Sequence, residues 1–265
     1  MFDRLVEHRE LLFSLAYFGT LGLIVLWETV AELRVAQKSP LLRWSNNIAI
    51  WLVGIVLERW MLLALGLTAA MYAQHSDWGL VNGLQLTPIV SVALSVLFLD
   101  LLFYFVHRVW HVIPVLWRIH RVHHSDTEFD FSLALRRHPL ESLINAIVTV
   151  PLIVLSGISP EAIVLFQALR SIVLMFEHAN ISLPAALDTG LRFFIVTPDM
   201  HRIHHSSIKA ETDSNFSDML PIWDRLFGTY RHLAAQPQNT MQIGIEKFRE
   251  DKEIYLHNML LQPFR

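Results

Sequence analysis

Leu84 to Val106 is a run of side chains with a single charge, Asp100, and it ends directly on His107. About 20 residues of apolar helix cross a bilayer core, so a run like this predicts a membrane span. Four more stretches support that reading. Leu11 to Leu33 is apolar apart from Glu28 and Glu32, and Ile48 to Ala73 is interrupted only by Glu58-Arg59. Leu140 to Leu155 and Ala162 to Phe176 are joined by the turn Ser156-Gly157-Ile158-Ser159-Pro160, and each is short for a span. Charged residues make up 17% of the chain, against ~25% in soluble domains. The expected fold is all-α: an integral membrane bundle of about four to five segments with a helical cap. We read one domain, 1–265, made of N-terminal spans (1–83), a histidine-bearing catalytic core (84–232) and a C-terminal tail (233–265).

Orientation follows from Lys and Arg alone. The loop after the first span carries Arg34, Lys38 and Arg43, whereas Gln74 to Gly83 has neither residue type. The former is expected in the cytoplasm and the latter outside. The third span then returns the chain to the cytoplasm beside Arg108, Arg118, Arg121, Arg136 and Arg137, and the hairpin returns there at His178. The opening MFDRLVEHRELLF has no small-residue cleavage site, so the first span is expected to stay in place. The Glu58-Arg59 pair reads as an ion pair between helices or the lining of a groove, because a charge in lipid is expensive.

Three histidine clusters lie on the expected cytoplasmic side: His107-Arg-Val-Trp-His111, His120-Arg-Val-His123-His124 and His201-Arg-Ile-His204-His205. Residues three and four apart share a helix face, so His107 can converge with His111. By the same spacing His120 is expected to converge with His123 and His124, and His201 with His204 and His205. Neutral imidazole suits iron, zinc, copper and nickel. His138, in Arg137-His138-Pro139, and His178, in Glu177-His178-Ala179-Asn180, open and close the hairpin at the same face and join the expected ligands. Asp100, Tyr104, His107 and His111 form one stripe of the third span, which makes Tyr104, with Asp100, a candidate partner of the ligating imidazoles. Asp100 there is either a hydrogen-bond partner of a ligating imidazole, the preferred reading, or an acceptor between helices. Glu211, Asp213 and Asn215 either hydrogen-bond the histidines or form a solvated loop. Phe103, Tyr104, Phe105, Phe193 and Phe194 either line a lateral entry from lipid or belong to the interface belt and core.

Ten imidazoles are more than one zinc ion can use, since zinc takes four ligands. A pair of transition metals fits the number, and iron is the choice that activates dioxygen. With no cysteine in the chain, thiolate zinc sites, iron–sulfur clusters and thiol nucleophiles are excluded. HExxH and Glu-x-x-His are also absent, which disfavours a zinc hydrolase and a soluble di-iron bundle. Paired haems want histidines facing one another inside the spans. A histidine-rich metal-binding or transport protein stays as the alternative, although transporters place ligands near the bilayer midplane. The net charge of −3 comes with no basic stripe to follow nucleic acid.

HxxxH, HxxHH and a distant HxxHH after apolar spans resemble the fatty acid hydroxylase superfamily, also called the sterol desaturase family. The likeness includes Arg137-His138-Pro139, Glu211-Thr-Asp-Ser-Asn215-Phe216 and Trp223-Asp-Arg-Leu-Phe-Gly-Thr-Tyr230, and covers about Asp100 to Tyr230. The resemblance implies a non-haem di-iron oxygenase of the membrane that uses dioxygen on lipids to hydroxylate or desaturate a C–H bond. Its ligands would fall on His107, His111, His120, His123, His124, His201, His204 and His205, with His138 and His178 added. The chain has no room for the cytochrome-b5-type domain fused to some relatives. Electrons are therefore expected from a separate cytochrome b5 or ferredoxin type donor. The expected location is a bacterial inner membrane, or the ER membrane if the source is eukaryotic, with the site on the cytoplasmic face. Trp223 to Tyr230 reads as an amphipathic cap over that site.

Overall fold

The computed structural model describes residues 7–58, 64–76 and 78–265, and of 55–58 the backbone alone. The described chain is all-helical apart from isolated bridges. Helix α1 is Arg9–Ala31, α2 is Pro40–Glu58 and α3 is Gly66–His75. They are followed by α4, Pro88–Val112, α5, Pro114–His124, α6, Pro139–Ser156, and α7, Pro160–Glu177. Helix α8, Pro198–His204, carries the last histidine motif. The expected Glu58-Arg59 pair lies outside the described residues.

Proline sets most of these starts. Pro88, Pro114, Pro139, Pro160 and Pro198 each open a helix, with an extended residue before them. The ring pre-sets a helical φ, has no N–H to leave unpaired, and pushes the preceding residue out of the helical region. Ser159 and Thr197 cap two of the starts through their hydroxyls. The break at Ile113-Pro114 therefore separates α4 from α5 and lets α5 fold back, so that His120 reaches His107 and His111 with ring centroids 5.0 Å apart.

Helices α1, α4 and α6 are long and apolar enough to cross a membrane. Their exposed faces carry Leu23, Leu26 and Val30 on α1, and Ile89, Leu94 and Phe98 on α4, surface that only lipid or another apolar partner would cover. Helix α7 does not qualify, because it holds Glu161, Arg170 and Glu177, all buried against protein. Inside the bundle Leu67, Leu99, Phe103, Ile153, Ile163 and Phe166 form the core. At the end remote from the histidines, Gly79 (φ +102) and Gly157 (φ +67) pack backbone to backbone. A Cβ on Gly79 would lie 2.3 Å from the Gly157 nitrogen, so the approach requires glycine.

At the histidine end, polar groups tie α1 and α2 to the loops that follow α5 and α7. Glu28 of α1 accepts hydrogen bonds from the backbone N–H groups of Phe131 (2.9 Å) and Asn180 (2.7 Å), fixing the loops after α5 and α7. Arg43 of α2 bonds Asp126 at 2.9 Å and pairs with Asp130, all of them buried. Parts of residues 233–265, expected as a tail, pack against the histidine-bearing part. Met259 lies against Ile50 and Val122, and Gln262 is fully buried, accepting from the Ser125 hydroxyl at 2.9 Å and from Arg121 at 2.6 Å.

Candidate metal centre

Nine of the ten histidines expected as ligands gather into two groups. His107, His111, His120, His124 and His204 form one; His123, His178, His201 and His205 form the other. Within each group the candidate ligand atoms lie within 4.8 Å of one another. The groups share a wall, where the His124 and His205 rings stack at 4.5 Å. The triads do not each converge on one point as expected. Each α-helical residue turns the chain by about 100°, so the i, i+4 pair stays together while the histidine between faces away. His120 and His124 serve the five-histidine group and His123 serves the other. In the second motif the roles are exchanged: His201 and His205 stay together, and His204 reaches across.

The tautomers can be worked out from what the outer nitrogens touch. Nδ1 of His107 meets the Phe216 carbonyl at 2.8 Å, and Nδ1 of His204 meets the Ser214 carbonyl at 2.7 Å. A carbonyl only accepts, so both Nδ1 atoms carry the proton and both Nε2 atoms are bare. Those two Nε2 atoms nevertheless lie 3.1 Å apart. His178 repeats the pattern: its Nδ1 donates to Leu174 at 2.8 Å, and its bare Nε2 lies 3.1 Å from that of His201. Nε2 of His205 is 3.1 Å from the same His201 atom. The lone pairs of His107 and His204 repel at that distance unless a cation sits between them, and the neutral imidazole nitrogens gathered in each group fit a transition metal. Protonation does not supply that cation. Burial first, and neighbouring imidazoles second, hold His123, His124, His201 and His205 well below the usual histidine range.

Acceptors behind the rings complete the arrangement. Glu141 accepts from His120 at 3.2 Å, and Asp213 from His111 at 3.4 Å. Asp218 lies 3.6 Å from His107 and pairs with Arg170 at 2.7 Å. Burial pushes the Asp218 carboxyl up, but Arg170 and His107 more than reverse this and hold it below the usual range. Sequence reasoning missed Glu141 and Asp218 as partners of imidazoles. The available signal was position: Glu141 lies in the first turn of α6, two residues beyond Pro139.

Three expectations change. His138 joins neither group. Its Nδ1 accepts from the Leu140 N–H at 3.1 Å and its Nε2 faces the Leu260 carbonyl at 3.3 Å, because the residue before Pro139 is the N-cap of α6. Asp100 touches no imidazole. It accepts from Trp223 Nε1 at 2.8 Å and the Leu220 N–H at 3.2 Å, and Trp223 belongs to the short helix Ile222–Leu226, so the acceptor between helices is the reading that fits. Tyr104 likewise bonds Thr229 at 2.9 Å and stacks on Phe227.

Asn215 acts through the backbone. Its φ of +52 lies in the left-handed region that Asn tolerates. Its side chain accepts from Arg231 N–H at 2.7 Å and donates to the Met200 and Arg231 carbonyls at 3.0 Å. That bend aims the carbonyls on either side, Ser214 and Phe216, at His204 and His107. Asp224 braces the same loop, accepting from the N–H groups of Phe216 (2.7 Å) and Ser217 (3.0 Å). Trp223 to Tyr230 is thus a brace over the site, as its sequence suggested. Of the aromatic residues weighed as an entry, Phe103 and Tyr104 are core, whereas Phe105, Phe193 and Phe194 are exposed.

A small cavity touches both groups. His107, His120, His123, His178 and His201 line it together with Phe103, Val106, Trp110, Asn145 and Glu177. It has room for about one water.

Comparison with known proteins supports the same region. Residues 92–229 match the family model for fatty acid hydroxylase. Over 138 residues the chain is 32% identical to an alkylglycerol monooxygenase of Danio rerio, covering 52% of this chain and 30% of that one. An ornithine lipid hydroxylase of Rhizobium tropici is 32% identical over 157 residues, 58% of this chain and 45% of the relative. A sphinganine C4-monooxygenase of Arabidopsis thaliana is 32% identical over 141 residues, 52% of each chain. The matched stretch thus spans only about half or less of these relatives' length. No solved structure matches the chain.

Proposed function

The chain belongs to the fatty acid hydroxylase family, and from that premise we propose that it is a membrane-bound di-iron oxygenase that hydroxylates or desaturates a lipid C–H bond. The observation that carries this reading is the pair of histidine groups, in one of which the unprotonated Nε2 atoms of His107 and His204 face one another across 3.1 Å, while in the other the Nε2 atoms of His178 and His205 close on that of His201 at the same distance. His107, His111, His120, His124 and His204 would hold one iron, and His123, His178, His201 and His205 the other. When bound, the iron pair supplies dioxygen activation and removal of hydrogen from an unactivated carbon.

The chain's own residues do the positioning. Ser214, Phe216, Glu141 and Asp213 orient four rings, and such partners also raise the basicity of the ligating nitrogen. Phe103 and Val106 of α4 are the aliphatic and phenyl side chains lining the cavity, and α4 is long and apolar enough to cross a membrane, so we place the lipid's approach along that helix. By their names, the relatives act on alkylglycerols, ornithine lipid and sphinganine, and we assign this chain a polar lipid of comparable kind. Electrons come from a separate donor of cytochrome b5 or ferredoxin type. The site faces the cytoplasm, in a bacterial inner membrane or, in a eukaryotic source, the ER membrane.

The test is a comparison of lipids extracted from cells with and without the protein. A lipid that gains one oxygen or loses two hydrogens is expected, dependent on His204. An unchanged lipid profile, in cells that supply iron, oxygen and reductant, would remove the proposal.

A further inference from the structure

Glu177 is the most deeply buried carboxylate near the histidines. Its relative exposure is 0%, and neither of its oxygens receives a hydrogen bond. An acid buried without a hydrogen-bond partner is disfavoured in a protein interior, so the position calls for a reason. Its surroundings supply one. Oε1 lies 3.5 Å from Nδ1 of His178, and Oε2 lies 3.8 Å from Nδ1 of His201. Nδ1 of His201 is itself buried without a partner. Every other anchoring carboxylate serves the five-histidine group: Asp213 behind His111, Glu141 behind His120 and Asp218 behind His107. In the four-histidine group, Nδ1 of His123 and His205 also lack partners.

We propose that Glu177 is the positioning residue of the four-histidine group, taking the Nδ1 proton of His201 in a hydrogen bond when that group is loaded and so turning its Nε2 onto the metal. The inference rests on the di-iron reading above. Two features of the geometry support it. His178 already donates its Nδ1 proton to Leu174, so His201 is the ring that needs an acceptor. A side-chain movement of less than an ångström closes the 3.8 Å separation to hydrogen-bond length. Glu177 is also the only acid in contact range of this group among the described residues, so it is the one placed to supply counter-charge to a metal bound there.

Iron content of the purified protein in detergent tests this without any assay of turnover. The wild type is expected to carry two irons per chain. Glu177→Leu is expected to carry one, and combining it with His205→Ala should lower the content no further, whereas combining it with His204→Ala should leave none. Glu177→Gln keeps an acceptor but loses the charge. It should hold two irons and release one of them to a chelator roughly tenfold to a hundredfold faster than the wild type, and this arm stands even where the leucine variant fails to fold. Two irons released at the wild-type rate in the glutamine variant, with only the thermal midpoint moved, would show a merely structural residue. Loss of both irons together would overturn the assignment to one group. A wild type with fewer than two irons would sink this inference and the di-iron reading at once.

Discussion

The two histidine groups are built by the same rule and held by different means. Each takes the i, i+4 pair of one HxxHH motif and the inner histidine of the other, so both α5 and α8 grip both positions. The five-histidine group adds His107 and His111 from α4; the four-histidine group adds only His178, at the end of α7. Behind the rings the contrast is sharper. Four members of the first group have an acceptor on Nδ1, three of these from the loop 213–216. In the second, only His178 has one, and the rings of His123 and His205 are oriented by packing against Phe129, His124 and each other. One position is therefore pre-organised by directional bonds, and the other by shape with one carboxylate nearby. The interlock means that neither α5 nor α8 can shift without disturbing both positions, whereas the acceptor loop and Glu177 each serve one.

The largest effect should come from breaking the interlock. His123→Ala and His204→Ala each remove the histidine that crosses from its own motif to the other group. Each should lose lipid oxidation to below detection and one iron per chain. Two irons retained in either variant, measured on folded protein, would contradict the division into groups. Next is Asn215→Ala. It deletes a buried side chain with three hydrogen bonds and leaves alanine at φ +52. The expected loss is about 2–4 kcal/mol of stability, with iron lost first from the five-histidine group, because the Ser214 and Phe216 carbonyls swing away. Asn215→Gly restores the backbone but not the bonds, and should fall between. Glu141→Leu is smaller still: about tenfold to a hundredfold weaker iron binding, confined to the five-histidine group. If chelator release shows the four-histidine iron loosened equally, the two groups are not independently anchored.

Much of this was legible in the chain because it depends on local rules. X-Pro steps mark where α4 to α8 begin, apolar runs mark the spans, and three- and four-residue spacing marks the histidines. What spacing does not carry is direction across elements. HRVHH and HRIHH are near-identical strings, and His123 and His204 hold the same place within them, yet each leaves the group of its own motif for the other, a crossing that no local spacing encodes. His138 misled because two roles suit a histidine before proline, ligand and cap, and the backbone chose the cap. Asp100 was read on its helix stripe toward His107, but the brace residue Trp223 arrives from 123 positions away to claim it. Glu141, Asp218 and Glu177 carry no motif of their own, and only the packing of α6, α7 and the 214–218 loop sets them behind imidazoles.

The smallest effect is on pH, and it probes the group that relies on packing. In protein stripped of metal, His123 and His205 are kept neutral by burial and by neighbouring imidazoles, well below the usual histidine range. Unfolded, each returns to about 6.5. Below that value the unfolded chain binds protons that the folded chain refuses, so stability rises with pH up to about 6.5 and levels off above it. Each such histidine adds at most about 1.4 kcal/mol per pH unit to the slope. His205→Gln takes one of these sites away, so the thermal midpoint of the stripped variant should fall less than that of the stripped parent between about pH 7 and pH 5.5. Equal falls would mean that His205 is free to protonate in the folded state. Its ring would then not be held by shape, and the contrast between the two groups would lose its physical basis.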